Sequence, residues 1–356
     1  MTRPLVSLVV ACRNEAEYID ACVQSLVDND YPADRLEILV VDGMSDDGTR
    51  ERVREVAARH PQVRLVDNPE GITPVAFNRG VRAARGEFIM ILGAHNRYAR
   101  DFVRTAIAYH GRFPADAVGG VIRAIPRVAS RFGRAVAAAL GHPIGVGPSR
   151  FRTQVAEPTW ADTVFGACYR RDVFERVGLF NERLVRGQDM EFALRMRRAG
   201  CRTLLVPALV SDYMARSRPG DFWRHNWTNG VWAVLPFLHS PIRPVRMRHL
   251  APLGLVVLLA GLGLLAPWWV PARWGGLLVG GGYLLTLLVG AFHASMRIGQ
   301  PASTPFVVLA FLSLHIGYGL GSLAGLVRVL IARVSGQRRP TSDEVWPAYP
   351  ARVPST

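Results

Sequence analysis

The sequence predicts an α/β domain built on a mainly parallel sheet, followed by an α-helical membrane domain. Three observations predict it. Short β-branched apolar runs alternate with helical patterns through the first part of the chain, polar residues gather directly after those runs, and near Arg248 the composition changes to long stretches almost without charge. Continuous apolar runs suit strands covered on both faces, and their alternation with helices is the pattern of parallel pairing.

Leu5 to Ala11 (LVSLVVA) is the first strand. Ile19, Cys22, Val23, Leu26 and Val27 then recur at helical spacing on one face, and Asn29 to Pro32 ends that helix. Glu37 to Val41 is the second strand, closed by Asp42 and Gly43. A helix from about Thr49 to Arg59, a strand around Val63 to Val66, a helix from Pro74 to Ala84 and a strand from Glu87 to Leu92 continue the alternation. Between Gly111 and Pro158 glycine and proline are frequent, so loops and short irregular elements are expected there. The stretch from Tyr213, with Phe222, Trp223 and Trp227, suits an interfacial helix at a headgroup boundary, or one that only anchors the domain.

Leu250 to Val270, Trp274 to Phe292 and Pro305 to Ala332 are nearly free of charge. Each is about the ~20 residues that cross a bilayer core. The expected division is a first domain over residues 1–240, a membrane domain of two to three transmembrane helices over 241–335, and a polar tail over 336–356. Trp268, Trp269 and Trp274 flank the first gap as interfacial aromatics do, and Gly317, Gly319, Gly321 and Gly325 permit close helix packing. Arg243, Arg246 and Arg248, before the first stretch, keep the N-terminal domain cytosolic under the positive-inside rule. Three full crossings then place the C-terminus outside, whereas Arg328, Arg333, Arg338 and Arg339 argue for the inside. Either one stretch is re-entrant or the charge rule fails, and the sequence leaves both open.

Among 356 residues, 43 Lys+Arg stand against 28 Asp+Glu, a net charge of +15 carried entirely by arginine. That balance suits nucleic acid, an acidic leaflet or phosphorylated small molecules. A nucleic-acid partner is not expected, since it explains neither the apolar stretches nor the ordered acidic positions at strand ends. Cys12, Cys22, Cys168 and Cys201 are scattered without a CxxC pair, as packed thiols in a reducing compartment are. Met1 to Leu5 lacks a signal-peptide pattern, so the first domain is expected to stay in the cytosol.

In a parallel sheet the ligand sits at the carboxyl ends of the strands. The first strand ends in Ala11-Cys12-Arg13-Asn14-Glu15, and the second in Asp42-Gly43-Met44-Ser45-Asp46-Asp47-Gly48-Thr49. An Asp there can accept hydrogen bonds from a nucleobase or ribose, and an Arg can hold a phosphate or a ring. Asp46, Asp47 and Thr49 read equally as a turn and helix cap. These segments resemble family-2 glycosyltransferases, whose catalytic domains have the nucleotide-sugar-binding, Rossmann-like GT-A fold. The resemblance continues in Pro74-Val75-Ala76-Phe77-Asn78-Arg79-Gly80 with Ala83-Ala84-Arg85-Gly86-Glu87, in Phe165-Gly166-Ala167-Cys168 with Arg170, and in Gly187-Gln188-Asp189-Met190-Glu191 with Arg195 and Ala199-Gly200.

The resemblance implies nucleotide-sugar contacts from Ala11, Arg13, Glu15, Asp42, Ser45, Asn78 and Arg79, and an acceptor side formed by Gly166, Ala167 and Glu191. It implies Asp189 as the general base that takes the acceptor hydroxyl proton while the diphosphate leaves from the other face. A divalent cation (Mn or Mg) is the implied cofactor. Where the family usually has D-x-D, this chain reads Gly93-Ala94-His95, so His95 is either a metal ligand or a hydrogen-bonded loop residue, and Arg13 or Arg79 carries part of the ion's electrostatic role. With His95 where a D-A-H variant has its histidine, the chain is similar to membrane-anchored exopolysaccharide glucosyltransferases of the succinoglycan type, though Gly93 replaces their first carboxylate. The Q-x-x-R-W motif of processive relatives is missing, which points to single-sugar transfer. The implied function is inverting transfer from a nucleotide-sugar, a UDP-sugar, to a lipid-linked or membrane-proximal acceptor in cell-envelope or exopolysaccharide synthesis, by an integral protein of a bacterial cell membrane with a cytoplasmic catalytic domain. Two alternatives stay open: a polyprenyl-phosphate sugar synthase, and a non-catalytic nucleotide-sugar sensor or partner in a membrane complex.

Overall fold

A computed structural model describes residues 3–153, 155–245 and 247–349. Arg246, one of the arginines counted before the first apolar stretch, and Met1 and Thr2 of the N-terminal segment lie outside the described residues. The chain divides into two compact units: Met1–Arg123, Gln154–Tyr213 and Pro340–Thr356 make the first, and Ala124–Thr153 and Met214–Arg339 the second.

The first unit is organised by a nine-stranded sheet. Its strands are β1 (Val6–Cys12), β2 (Leu36–Asp42), β3 (Val63–Asp67), β4 (Phe88–Gly93), β5 (Asn96–Tyr98), β6 (Ala117–Pro126), β7 (Thr159–Trp160), β8 (Phe165–Arg170) and β9 (Thr203–Ala215), in the order β3-β2-β1-β4-β8-β6-β9-β5 with β7 beside β9. The half β3-β2-β1-β4 is parallel, as the sequence rhythm predicts. From β8 onward the pairings change: β8 is antiparallel to β4 and to β6, and β5 and β7 are antiparallel to β9.

The crossover helices α1 (Ile19–Val27), α2 (Thr49–Arg59) and α3 (Thr73–Ala83) cover both faces of β1 and β2, which explains why those strands are mostly apolar on both. Leu8, Val10, Ile38 and Val40 pack with Ile19, Cys22 and Val53 in one layer, and Val9, Leu39 and Val41 pack with Ala76 and Val81 in the other. A Cβ on Gly80 would stand 2.2 Å from Val9 Cγ1, so α3 lies against the sheet with no room for a side chain there. Helix α4 (Phe102–Arg112) precedes β6.

The segment expected to be irregular, between Gly111 and Pro158, instead contains β6 and the helices α5 (Arg131–Leu140), α6 (Pro143–Val146) and α7 (Arg150–Thr153). Gly119 and Gly120 mask the strand. A Cβ on Gly120 would meet Leu209 O at 1.8 Å, and one on Gly119 would meet Val164 Cγ2 at 2.3 Å, so neighbours fill the side-chain space and glycine is required in a strand interior.

After β8 come α8 (Asp172–Val177) and α9 (Gln188–Arg198), whose Phe174 and Phe192 join the second core layer with Phe180. The polar tail expected from residue 336 is, from Pro340, part of this unit. Leu179 N–H donates to Pro347 O at 2.9 Å, Trp346 Nε1–H donates to Glu191 at 2.5 Å, and the Arg195 guanidinium lies 5.0 Å from the Trp346 ring centre. Tyr349 bonds Arg171 and packs against the same aromatic layer.

The second unit continues with α10 (Pro219–Val234), α11 (Pro236–His239), α12 (Met247–Leu265), α13 (Val270–Arg297), α14 (Thr304–Leu312) and α15 (Tyr318–Val334). A π-helical turn, Ser313–Gly317, joins the last two. Three segments are long and apolar enough to cross a membrane: Met247–Leu265, Val270–Arg297 and Pro301–Val334.

Candidate functional site

The loops after β1 and β2 are latched to each other by the polar motif that follows β2. Asp42 is fully buried and accepts from Ser45 N–H at 2.9 Å, Ser45 Oγ–H at 2.5 Å and Arg50 Nη1 at 2.8 Å. Burial alone raises its pKa, but the bonds from Ser45 and Arg50 outweigh it and hold the carboxyl below the usual carboxylate range. Ser45 Oγ accepts from Asn14 N–H at 2.8 Å, Thr49 Oγ1 from Glu15 N–H at 2.9 Å, and Asp47 Oδ2 from Ala16 N–H at 3.0 Å. Asn14 and Met44 both take the left-handed conformation, at φ 53° and 57°. The short polar side chains of one loop thus satisfy the backbone of the other, and their product is a fixed presentation of Arg13 and Glu15.

Both residues line a cavity of about 370 Å³ at the carboxyl ends of β1 and β4. Arg13 lies in a slot between two glycines. A Cβ on Gly43 would stand 3.1 Å from its Cβ, one on Gly71 would stand 2.6 Å from its Nη1, and Nη1 donates to Gly71 O at 3.2 Å. Glu15 Oε1 is 3.2 Å from His95 Nδ1, so the structure brings together the acid after β1 and the histidine after β4. At Gly93 a Cβ would stand 2.5 Å from Asn96 Nδ2, which donates to Gly93 O at 3.1 Å. The amide of Asn96 therefore occupies the space a carboxylate at residue 93 would need.

The opposite wall is formed by Gly166, Ala167 and Tyr169 of β8 and by Gln188 and Asp189 at the start of α9. Gly187 caps that helix in the left-handed conformation, φ 76°, and Asp189 stands exposed in its first turn. Beside it the half-buried Tyr169 has its phenol pKa pushed up, by desolvation first and then by the charge of Asp189, so the phenol keeps its proton. Three further oxygens on the lining, Asn68 Oδ1, Asn96 Oδ1 and Gln188 Oε1, are buried without a hydrogen-bond partner. Buried acceptors are ordinarily satisfied, and this set suits a ligand rich in hydroxyl and amide donors. For a divalent ion, no group of three or more His, Cys, Asp or Glu exists among the described residues. The pair Glu15–His95 offers two donors, which fits an ion that completes its shell from phosphate oxygens and water.

Of the residues expected from sequence, Ala11, Arg13, Glu15, His95, Gly166, Ala167 and Asp189 line this one cavity, and Asp42, Ser45, Asn78, Arg79 and Glu191 do not. Asp42 and Ser45 form the latch. Asn78 is buried and holds the segment before α9: its amide donates to Phe180 O at 2.9 Å and Glu182 at 2.8 Å, and its Oδ1 accepts from Phe180 N–H at 2.9 Å. Arg79 makes a two-pronged pair with Glu70, Nη2 to Oε1 at 2.8 Å and Nε to Oε2 at 3.2 Å. Glu191, fully buried, pairs with Arg195 at 3.0 Å and turns away from the expected acceptor side. Asn68, Asn96, Tyr169 and Gln188 were not foreseen. Asn68 directly follows β3 and Gln188 lies inside a quoted motif, so the strand-end rule applied to β1 and β2 finds the first when extended to β3.

A sequence profile described as glycosyl transferase family 2 matches residues 7–178. Among curated proteins, the chain is 25% identical over 332 residues to a dolichyl N-acetyl-alpha-D-glucosaminyl phosphate 3-beta-D-2,3-diacetamido-2,3-dideoxy-beta-D-glucuronosyltransferase of Methanococcus voltae, covering 91% of this chain and 97% of that one. It is 29% identical over 252 residues to the succinoglycan biosynthesis protein ExoA of Rhizobium meliloti, covering 66% and 75%. Among solved structures, a mannosyltransferase from Pyrobaculum calidifontis in complex with GDP-Man and Mn²⁺ shares the fold, with a TM-score of 0.57, 24% identity and 88% of each chain covered.

Proposed function

We propose that the chain is an inverting member of glycosyl transferase family 2, with the family's GT-A fold, that moves one sugar from a UDP-sugar to a lipid-linked acceptor at the cytoplasmic face of a cell membrane. The observation that carries this reading is the sharing of one cavity: Arg13, Glu15 and His95 at the strand ends face Asp189 at the start of α9. The first group suits a diphosphate and the second a hydroxyl, so donor and acceptor meet between them.

In this reading Asp189 accepts the proton of the acceptor hydroxyl as its oxygen forms the new bond to the anomeric carbon. The bond from that carbon to the diphosphate breaks, and nucleoside diphosphate leaves on the Arg13 side. Attack and departure from opposite faces invert the anomeric centre. Arg13, fixed between Gly43 and Gly71, stabilises the charge on the leaving phosphate without reorganising. Glu15 and His95 would hold a divalent ion, which when bound supplies Lewis-acid stabilisation to the diphosphate. The Methanococcus relative, whose name gives a dolichyl-linked sugar phosphate as acceptor, supports a lipid-linked sugar over polyprenyl phosphate itself.

The test is sugar transfer by the full chain in nanodiscs, with UDP-, GDP- and dTDP-sugars, lipid extract, and either Mn²⁺ or chelator. Asp189→Asn is expected to lower transfer by roughly 10²–10⁴-fold while leaving donor binding intact. Undiminished transfer by that variant would remove Asp189 from the mechanism. Donor binding without turnover by the unaltered chain, in every condition, would replace the enzyme with a nucleotide-sugar sensor.

A further inference from the structure

The number of membrane crossings follows from the first unit alone. That unit contains residues from both sides of the apolar segments in sequence: Gln154–Tyr213 precedes them and the tail from Pro340 follows. The two parts are joined in one core, with Leu179 N–H on Pro347 O at 2.9 Å, Trp346 on Glu191 at 2.5 Å, and Tyr349 against Phe174 with ring centres 6.4 Å apart. A compact body of this kind lies on one side of a bilayer, because irregular backbone and charged side chains are not tolerated in hydrocarbon. The chain between Tyr213 and Pro340 therefore crosses an even number of times, and three apolar segments cannot all be spans.

The second unit identifies the exception. Of an apolar 18-residue stretch within each segment, 6% is buried in Met247–Leu265 and 17% in Val270–Arg297, against 44% in Pro301–Val334. Helices α12 and α13 form a hairpin, with Leu262 against Gly276 and Leu259 against Gly280, and present leucines to the surroundings along their length. Helix α15 lies along α10 instead. A Cβ on Gly321 would stand 2.1 Å from Trp227 O, and one on Gly325 2.7 Å from Val231 O. Ser322 Oγ–H donates to Gly230 O at 3.1 Å, and Arg333 Nη2 to Phe237 O at 2.9 Å. Contacts that advance together along both chains make the two helices parallel neighbours at one depth. Helix α10 carries Asp221, Arg224, His225, Asn226 and Asn229, a composition that belongs to the headgroup region rather than to hydrocarbon.

We infer that α12–α13 is the membrane-crossing hairpin and that Pro301–Val334 does not cross, but lies at the headgroup level of the face from which the hairpin enters. Arg243, Arg248, Arg328, Arg333, Arg338 and Arg339 then all remain on that face. The conflict between crossing number and arginine placement disappears, since both flanking clusters obey the positive-inside rule. The occupant of the exposed leucine surface is the acyl region of a bilayer.

Single cysteines introduced as Pro267→Cys, Ala302→Cys and Thr341→Cys, all at exposed positions, test the inference with a membrane-impermeant maleimide on intact cells, before and after permeabilisation. The four native cysteines are buried, and the unsubstituted chain sets the background. Labelling of Pro267→Cys in intact cells, with the other two gained only on permeabilisation, is the expected result. The mirror pattern keeps the hairpin and overturns the cytoplasmic placement proposed above. The inference itself is overturned if Ala302→Cys and Thr341→Cys differ in sidedness, or if Pro267→Cys shares the sidedness of both.

Discussion

Asp189 and Glu191 stand two positions apart on α9 and face opposite ways, as an advance of about 200° around a helix requires. Asp189 borders the cavity, and Glu191 is sealed between Arg195 and Trp346. The substitutions should separate cleanly. Glu191→Gln leaves a buried guanidinium without its counter-charge and should cost about 3–5 kcal/mol in denaturant unfolding. Asp189→Asn should shift unfolding by no more than about 0.5 kcal/mol, because its side chain is exposed. Both acids were legible as motif members, but a motif carries residue types and not the directions they face. The same limit applies to Asp42, read as a ligand contact and found inside the latch. Two buried acids contribute to the pH dependence of the first unit's stability. At Glu37, burial raises the pKa, but bonds from Arg85 N–H, Ser7 and the Arg85 side chain outweigh it, as Ser45 and Arg50 do at Asp42. With folded pKa values below unfolded ones, the unfolded chain binds more protons in acid. Stability is fully present above the unfolded carboxylate pKa of about 4 and is lost as pH falls through the lower folded values. Denaturant midpoints measured from pH 7 down to pH 3 should fall in acid, and Asp42→Asn should flatten the slope.

The parallel half of the sheet was readable because its central strands β1 and β2 are buried on both faces, so apolar run, turn chemistry and helix period agree. Strand β6 was not, since Gly119 and Gly120 answer to the neighbouring Val164 and Leu209 rather than to local propensity. The latch between the β1 and β2 loops was half legible: Asp47 Oδ1 accepts from Thr49 N–H at 3.0 Å as a turn reading expects, but Gly48 and no side chain stands at the N-cap of α2, and the partners across the latch come from residues 14–16, which no local pattern announces. Helix α3 offers a direct test of packing at this scale. With Val9 and Val41 occupying the space above Gly80, Gly80→Ala should destabilise by about 1–3 kcal/mol through overpacking. A thermal shift in the full chain, with Gly111→Ala as an open-space control, would measure it.

Hydropathy found all three apolar segments, since it reports length and composition, but it is blind to whether a helix meets lipid or another helix. The contacts of α15 with α10 supply what it lacks. The return of the tail to the first core was equally hidden, because Trp346 and Tyr349 sit in a polar, proline-rich stretch with no periodicity. Replacing Trp346 and Tyr349 together by Ala should lower the unfolding midpoint of the first unit while leaving membrane association unchanged, read by denaturant titration and by flotation. The tail also imposes an order of events during synthesis. A ribosome delivers α8 and α9 well before it delivers Trp346, and the apolar hairpin is translated in the interval. Completion of the core against α9 thus waits until the membrane segment has been made, which ties the last step of folding of the first unit to arrival at the bilayer.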